Sequence, residues 1–348
     1  MESIALLDST LRDGGLGLED ASSKGYSHVV FSDSVRQQIL AALANSKIDL
    51  VEIGSIEISS EDKRRFAIYK NIEQASLSLP RQQSNGTRFA VLYRGPDTPI
   101  DDIPIQDGTL CEFVRVIIRY SELRKSLNFC YALSTKGYKV CVQPMLTMRY
   151  SDDELNAVIS AANDMQAFAL YFVDSYGYME ADDVLRFTDL YASKLNSTTR
   201  IGFHAHNNTN QAFSNAKAFI RYANGRDIML DSCAIGLGQG AGNLQTELIS
   251  PFLNKNFGKH YDYDSILDVC DIVENLMPCP QCGYSTMYLL PAINKTAYKY
   301  ATDLRLRYNM PYRKINEILR CMPPEMRHRY TIENLKVLLA KSKMNVQT

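Results

Sequence analysis

The most concentrated chemistry in this sequence is Gly202-Phe203-His204-Ala205-His206-Asn207-Asn208, which carries two of the chain's five histidines with one residue between them. The apolar run before them, Arg200 to Phe203, reads as a short buried strand. Residues i and i+2 of a strand share a face, so both imidazoles leave the strand's end on one side. Two neutral ring nitrogens so placed suit one divalent metal ion. The competing reading is a pair of polar residues at a strand exit, each hydrogen-bonded to backbone. A hard divalent ion also wants oxygen donors. Asp13, in Arg12-Asp13, can supply a carboxylate. Asn243, directly after the glycine-rich Gly236-Leu237-Gly238-Gln239-Gly240-Ala241-Gly242, can supply an amide oxygen. Arg12 keeps its proton and can hold a carboxylate or stabilise a developing oxyanion. Taken alone, Arg12-Asp13 is equally a local ion pair. Glu52 and Asp174-Ser175 close two further apolar runs.

These residues are far apart in the chain, so a fold must gather them. Short apolar runs at Ile4–Asp8, Asp49–Ile53, Arg88–Leu92, Phe113–Ile118, Lys139–Val142, Ala169–Val173, Ile201–His204 and Ile228–Leu230 read as buried parallel strands. Helical patterns lie between most of them. Ser34–Ala44 has Val35, Ile39, Leu40 and Leu43 on one stripe; Asp62–Leu79, Ser121–Thr135, Ala181–Leu195 and Thr209–Tyr222 follow the same period; Ser151 and Glu154 open another helix as a capping box. Arg94 to Leu110, rich in Pro, Gly and Asp, offers only a poor helix. Eight strands in alternation predict an α/β fold, a (β/α)8 TIM barrel over residues 1–259. In such a barrel the strands' C-terminal ends ring one mouth, which is where Arg12, Asp13, Glu52, Ser175, His204, His206 and Asn243 fall. No Gly-x-Gly-x-x-Gly follows the first strand, which argues against a dinucleotide site. From residue 260 to 348 the pattern turns all-helical, with helices expected at Tyr263–Leu276, Met287–Tyr308, Tyr312–Cys321 and Ile332–Lys341. That tail has apolar stripes (Leu289, Leu290, Ile293, Ala297; Ile315, Ile318, Leu319), and it is expected to pack over or beside the mouth and to mediate assembly, self-association to a dimer above all.

Composition narrows the function classes. With a formal net charge of −1, no basic field draws the chain to nucleic acid or anionic membranes. No window approaches the apolar length of a membrane span, and the N-terminus has no signal-peptide pattern. The eight cysteines are scattered, mostly inside apolar runs, which fits buried thiols in a reducing, cytoplasmic setting. Cys279-Pro280-Gln281-Cys282 has no second ligand pair and reads as a loop.

Leu7-Asp8-Ser9-Thr10-Leu11-Arg12-Asp13-Gly14, Val173-Asp174-Ser175, Gly202 to Asn208 and Gly236 to Glu247 together resemble the DRE-TIM metallolyase (HMGL-like) superfamily. The glycine loop followed by Thr246-Glu247-Leu248 is most similar to the 4-hydroxy-2-oxovalerate aldolase branch. The resemblance covers about residues 1 to 255 and is fainter in the tail, at Gly283-Tyr284-Ser285. It implies Asp13, His204 and His206 as metal ligands with Asn243 as a fourth, and Mn²⁺ or Mg²⁺, or else Zn²⁺, as the ion. It implies Arg12 as the group that stabilises an enolate, and Ser175 near the substrate carboxylate. Glu52, at the mouth end of its own strand, is expected on the substrate side as well. The expected reaction is carbon–carbon bond cleavage or formation next to a 2-oxo acid such as pyruvate. Two alternatives stand beside it: condensation of an acyl-CoA with a 2-oxo acid, and a barrel that keeps the metal and binds without turnover. Aldolases of this branch also work with a partner dehydrogenase. The chain departs from the pattern where the aldolases carry an acid/base histidine, for it has Leu16 there. It also lacks the cysteine that coenzyme A lyases carry after the eighth strand, and Cys233, on the strand itself, reads as core. Tyr284, Tyr288 and His28 are the expected stand-ins for proton transfer.

Overall fold

A computed structural model describes residues 3–23, 29–80, 86–223, 225–276 and 283–344. All eight apolar runs form strands: β1 Ile4–Asp8, β2 Leu50–Ile56, β4 Arg88–Tyr93, β5 Phe113–Ile118, β6 Lys139–Pro144, β7 Ala169–Asp174, β8 Arg200–Ala205 and β9 Ile228–Ser232, with a two-residue strand, β3 Ile68–Tyr69, beside β2. Every pairing is parallel, and β1 pairs with both β9 and β2, so the sheet closes into an eight-stranded barrel.

Side-chain alternation sorts each strand's residues between two apolar clusters. Ala5, Leu7, Leu50, Phe113, Cys141, Ala169, Tyr171 and Met229 fill the barrel's interior. Ile4, Leu6, Val51, Ile53, Val114, Val116, Ile201 and Phe203 face the surrounding helices. Phe203, the neighbour of His204, stacks on Phe172 with centroids 4.6 Å apart and meets Phe219 edge-on at 5.6 Å. Burying such a ring contributes about 1.5–3 kcal/mol, and it anchors β8 so that His204 must face inward. Two residues along from the interior apolar layer, the same faces carry Glu52, Arg115, Gln143, His204 and Asp231. The barrel therefore has an apolar floor and a charged layer below its mouth.

The helices α2 Asp33–Asn45, α4 Leu123–Thr135, α5 Asp152–Asp164, α6 Ala181–Lys194 and α7 Ala212–Tyr222 lie close to their expected places, and α8 Thr246–Phe257 follows the last strand. Ser151 caps α5 with the reciprocal bonds of a capping box.

Three regions differ from the sequence reading. Residues after Asp8, to which the sequence assigned no element, form helix α1 Thr10–Ser23, so Arg12 and Asp13 sit on a first helical turn. Its glycines hid it, and they serve close packing: a Cβ on Gly15 would stand 2.0 Å from the Phe66 carbonyl oxygen. The helix expected over Asp62–Leu79 is instead β3 and the short α3 Ile72–Ser76. There Ala67 adopts a left-handed φ of 52°, and β3 pairs with β2. Met287–Tyr308 is two helices, α10 Thr286–Ile293 and α11 Tyr298–Leu306.

The expected boundary at residue 259 precedes α9 Tyr263–Leu276, whose Ile266, Val269 and Val273 belong to the barrel's outer apolar cluster. A separate cluster begins at Leu290 and joins α10 and α11 to α12 Tyr312–Arg320 and α14 Ile332–Met344 through Tyr300, Leu304, Ile315, Leu319 and Leu335; the short α13 Pro324–Arg327 lies between them. No helix among the described residues is long and apolar enough to cross a membrane.

Candidate active site

His204 occupies the last inward position of β8, and His206 follows where the strand ends and bridges to Asn243. Each imidazole is oriented from behind. His204 Nδ1 donates to Asp231 Oδ2 at 2.8 Å, and His206 Nδ1 donates to the Ser175 carbonyl at 3.0 Å. With its Nδ1 proton so used, His206 presents a lone pair at Nε2, which faces His204 Nε2 at 3.2 Å. Burial lowers His204, but Asp13 and Asp231 outweigh it and raise it, so its Nε2 becomes a bare donor when a cation displaces the proton. Asp13 Oδ2 lies 3.3 Å from His204 Nε2. The donor atoms of Asp13, His204 and His206 fall within 4.8 Å of one another.

The site collects acceptors that no protein donor satisfies. Asp13 Oδ2 and Asn243 Oδ1 are both buried without a hydrogen-bond partner. Asn243 is held beside Asp13 by Gly238, where a Cβ would stand 2.3 Å from the Asn243 amide nitrogen and 3.5 Å from Asp13 Cγ. Two convergent imidazole nitrogens with orphaned carboxylate and amide oxygens are the donor set that a divalent cation completes. Burial pushes the Asp13 carboxyl up, but the Arg12 guanidinium and His204 outweigh it and hold the group well below the usual carboxylate range. Burial and neighbouring His204 lower His206 to about 4, which keeps that imidazole a neutral donor.

Behind this cluster runs a closed ring of buried charge. Arg12 Nε donates to Glu52 Oε2 at 2.6 Å, and Arg12 Nη1 lies 3.2 Å from Asp13 Oδ1. Arg115 Nη1 donates to the same Glu52 oxygen at 2.6 Å, and Arg115 Nη2 donates to Asp231 Oδ2, the acceptor of His204. Arg115 and Asp231 are 0% and 1% exposed. Unpaired, either charge would be costly at that depth; paired, each fixes its neighbour. Sequence reasoning missed both, although each breaks an otherwise apolar strand, in Phe113-Val114-Arg115-Val116 and in Met229-Leu230-Asp231.

Above the cluster opens a cavity of about 430 Å³ whose wall includes Arg12, Asp13, Ser175, His204 and His206. Ser175 Oγ accepts the Leu146 amide at 2.8 Å, so its hydroxyl proton is left to donate. Glu52 lies beneath Arg12 and is absent from the wall. Leu16 does line it, so a hydrocarbon stands where the resemblance calls for an imidazole. Cys233 is fully buried against Ser9 Oγ at 3.1 Å, and burial raises its thiol well above the ordinary value.

The tail closes the mouth, and it supplies wall residues that sequence reasoning did not single out: Tyr298, Lys299, His328, Arg329 and Tyr330. The Tyr298 phenol is hydrogen-bonded to Asp20, which also faces Lys299 Nζ at 3.4 Å. Tyr288 is buried, and its carbonyl accepts Asn208 Nδ2 at 3.0 Å. Tyr284 is 57% exposed and takes no part in the wall. His28 and the Cys279–Cys282 stretch lie outside the described residues.

The family model described as HMGL-like matches residues 3–273. A 4-hydroxy-2-oxovalerate aldolase from Thermomicrobium roseum is 41% identical over 288 residues, 78% of this chain and 73% of that protein. One from Pseudoalteromonas translucida is 27% identical over 326 residues, 90% and 89% of the two chains. Among solved structures, the carboxyl transferase domain of Rhizobium etli pyruvate carboxylase superposes with a TM-score of 0.69 at 14% identity, covering 99% of this chain and 60% of that one. At that identity the likeness is one of fold, and it extends through the helical tail.

Proposed function

The chain belongs to the HMGL-like family, and from that premise we propose that it is a divalent-metal-dependent aldolase or lyase acting next to the carbonyl of a 2-oxo acid. The observation that carries this is the meeting of Asp13, His204 and His206 with Arg12 on the wall of one cavity at the barrel's mouth. Asp13, His204, His206 and Asn243 would hold the ion, with Mn²⁺ or Mg²⁺ suited to the oxygen-containing set and Zn²⁺ acceptable to its nitrogens. A bound divalent ion supplies Lewis acidity toward a chelating 2-oxo acid. Arg12, locked by Glu52, presents a fixed positive charge beside the site, where negative charge develops as the carbon–carbon bond breaks. The Ser175 hydroxyl can donate to the substrate carboxylate. The tail, through Tyr298, His328 and Tyr330, covers the site and limits water. The unit that carries the chemistry is the barrel with α9, to about residue 276.

Incubating the metal-loaded protein with pyruvate in D₂O and following the methyl resonance tests this reading. Exchange is the expected result. No exchange with pyruvate or a second 2-oxo acid, in protein shown to hold metal, would leave a metal-binding barrel without turnover, the reading that Leu16 favours. Release of free thiol from acyl-CoA donors would instead point to condensation. The exposed apolar residues of the tail, Ile293, Leu306, Tyr308 and Ile332, offer a surface for the self-association proposed here.

A further inference from the structure

A second, smaller pocket shares a wall with the catalytic cavity. It holds about 250 Å³, and Leu146, Val173, Ser175, Tyr176 and His328 border both spaces. Its remaining wall carries Arg149, Lys295 and Arg327. The one carboxylate there, Asp174, is buried, and its two oxygens accept the Tyr178 and Met179 amides at 3.0 Å each. Arg149 and Lys295 make no ion pair among the described residues; they lie over the rings of Tyr120 at 4.1 Å and Tyr178 at 5.3 Å. Aromatic faces steady these cations without neutralising them.

The wall is tied in place. Arg327 spends its donors on three carbonyls, those of Met322 at 3.0 Å, Asn294 at 2.7 Å and Arg320 at 3.1 Å, which pins the turn that presents Lys295. His328 stacks on Tyr176 with an interplanar angle of 12°, and its Nδ1 lies 3.3 Å from the Tyr176 hydroxyl. Barrel and tail thus each bring a cation to the same small space, one step from the catalytic cluster.

We propose that this pocket seats the anionic tail, carboxylate or phosphate, of the aldehyde that the enzyme adds to, or releases from, its 2-oxo acid. The inference rests on the lyase reading above and names its second substrate class. In the addition direction the enolate carbon forms the new bond to the aldehyde carbon. The carbonyl π pair moves to the aldehyde oxygen, which takes one proton; cleavage reverses each step. The shared wall at Ser175 and Tyr176 lets one molecule place its carbonyl by the catalytic cluster and its charge between Arg149 and Lys295.

The test compares matched acceptors in the aldol addition with pyruvate: butanal against succinic semialdehyde, and glyceraldehyde against its 3-phosphate. The charged member of at least one pair should have the higher kcat/KM, by about ten-fold or more and chiefly through KM, as expected for two charge-assisted contacts. Which pair responds tells carboxylate from phosphate. In an Arg149→Gln, Lys295→Gln double variant with normal metal content and melting temperature, the advantage should vanish. Equal use of charged and neutral acceptors by the wild type, or a preference that survives in the double variant, would overturn the proposal. Pyruvate exchange in the wild type keeps the two ideas apart, because it needs no acceptor. Were exchange absent, titration of inorganic phosphate into both proteins would still decide the pocket: binding weakened about ten-fold in the double variant supports it, and equal affinity overturns it.

Discussion

Asp231→Asn is the sharpest probe of how the site is held. The carboxylate is buried, and its Oδ2 serves both His204 Nδ1 and Arg115 Nη2. With the imidazoles neutral, Arg12 and Arg115 (+2) face Asp13, Glu52 and Asp231 (−3), a net charge of −1 around the donor cluster. Asparagine keeps the shape and can still accept from His204, but the net charge becomes 0 (+2 against −2). Arg115 is then left with Glu52 alone. Losing a carboxylate that orients a ligand histidine typically lowers metal affinity 10–100-fold, about 1.4–2.7 kcal/mol. Breaking a buried ion pair costs about 3–5 kcal/mol of stability, and one retained hydrogen bond puts this variant near the lower figure. Calorimetric titration of the metal-free protein with Mn²⁺ should show the first loss, and urea unfolding without metal the second. The control is Glu112→Gln, which removes an exposed partner of Arg88 and Lys139 and should change stability by no more than about 1 kcal/mol. A folded Asp231→Asn protein with wild-type Mn²⁺ affinity would refute the idea that Asp231 positions His204 for a metal ion.

The other expectations are simpler to check. The His204→Ala, His206→Ala double variant should purify with little divalent metal, whereas Arg12→Ala should keep its metal and lose pyruvate exchange; undiminished metal in the former, by elemental analysis, would overturn the ligand assignment. Burial raises Asp8 to about 6 from 3.8, against hydrogen bonds from Thr246 and Thr10. A raised folded value means the native state holds the proton more tightly, so this contribution to stability is full below about pH 3.8 and is lost as pH rises through about 6. The stability difference between wild type and Asp8→Asn should therefore fall by roughly 3 kcal/mol across that window in urea unfolding, and a flat difference would refute the shift. Light scattering should give a mass near twice the 39.3 kDa of one chain; a monomer would rule out self-association through the tail.

What the sequence discloses and what it conceals divide along a physical line. The metal cluster is legible because its elements are local. His204 and His206 are two positions apart on a strand whose period of two dictates their common face, and the apolar run before them announces the strand. The barrel is legible for the same reason, eight times over. Arg115 and Asp231 were hidden because each is one charge in an apolar strand, and only the closed sheet shows that strands so far apart in sequence aim them at a common neighbour. Helix α1 was hidden by glycines that serve close packing, Gly14 against Leu237, Gly15 against Phe66 and Gly17 against Gly238, partners no local pattern names. The tail was the hardest. Its amphipathic stripes say that it must cover something, but nothing in a helical period says which face of the barrel it meets. So Tyr284, the tyrosine of the recognisable Gly-Tyr-Ser, proved exposed, while Tyr298 and His328, in unremarkable surroundings, reach the cavity. The same division bears on function. Residues that would hold a metal ion and an enolate lie in contiguous motifs of the barrel. The cover over the site comes from the tail, through Tyr298, His328 and Tyr330, and the proposed aldehyde pocket pairs Arg149 of the barrel with Lys295 of the tail. That half of the site can change without disturbing the metal cluster, so the search for this enzyme's own substrate should begin there.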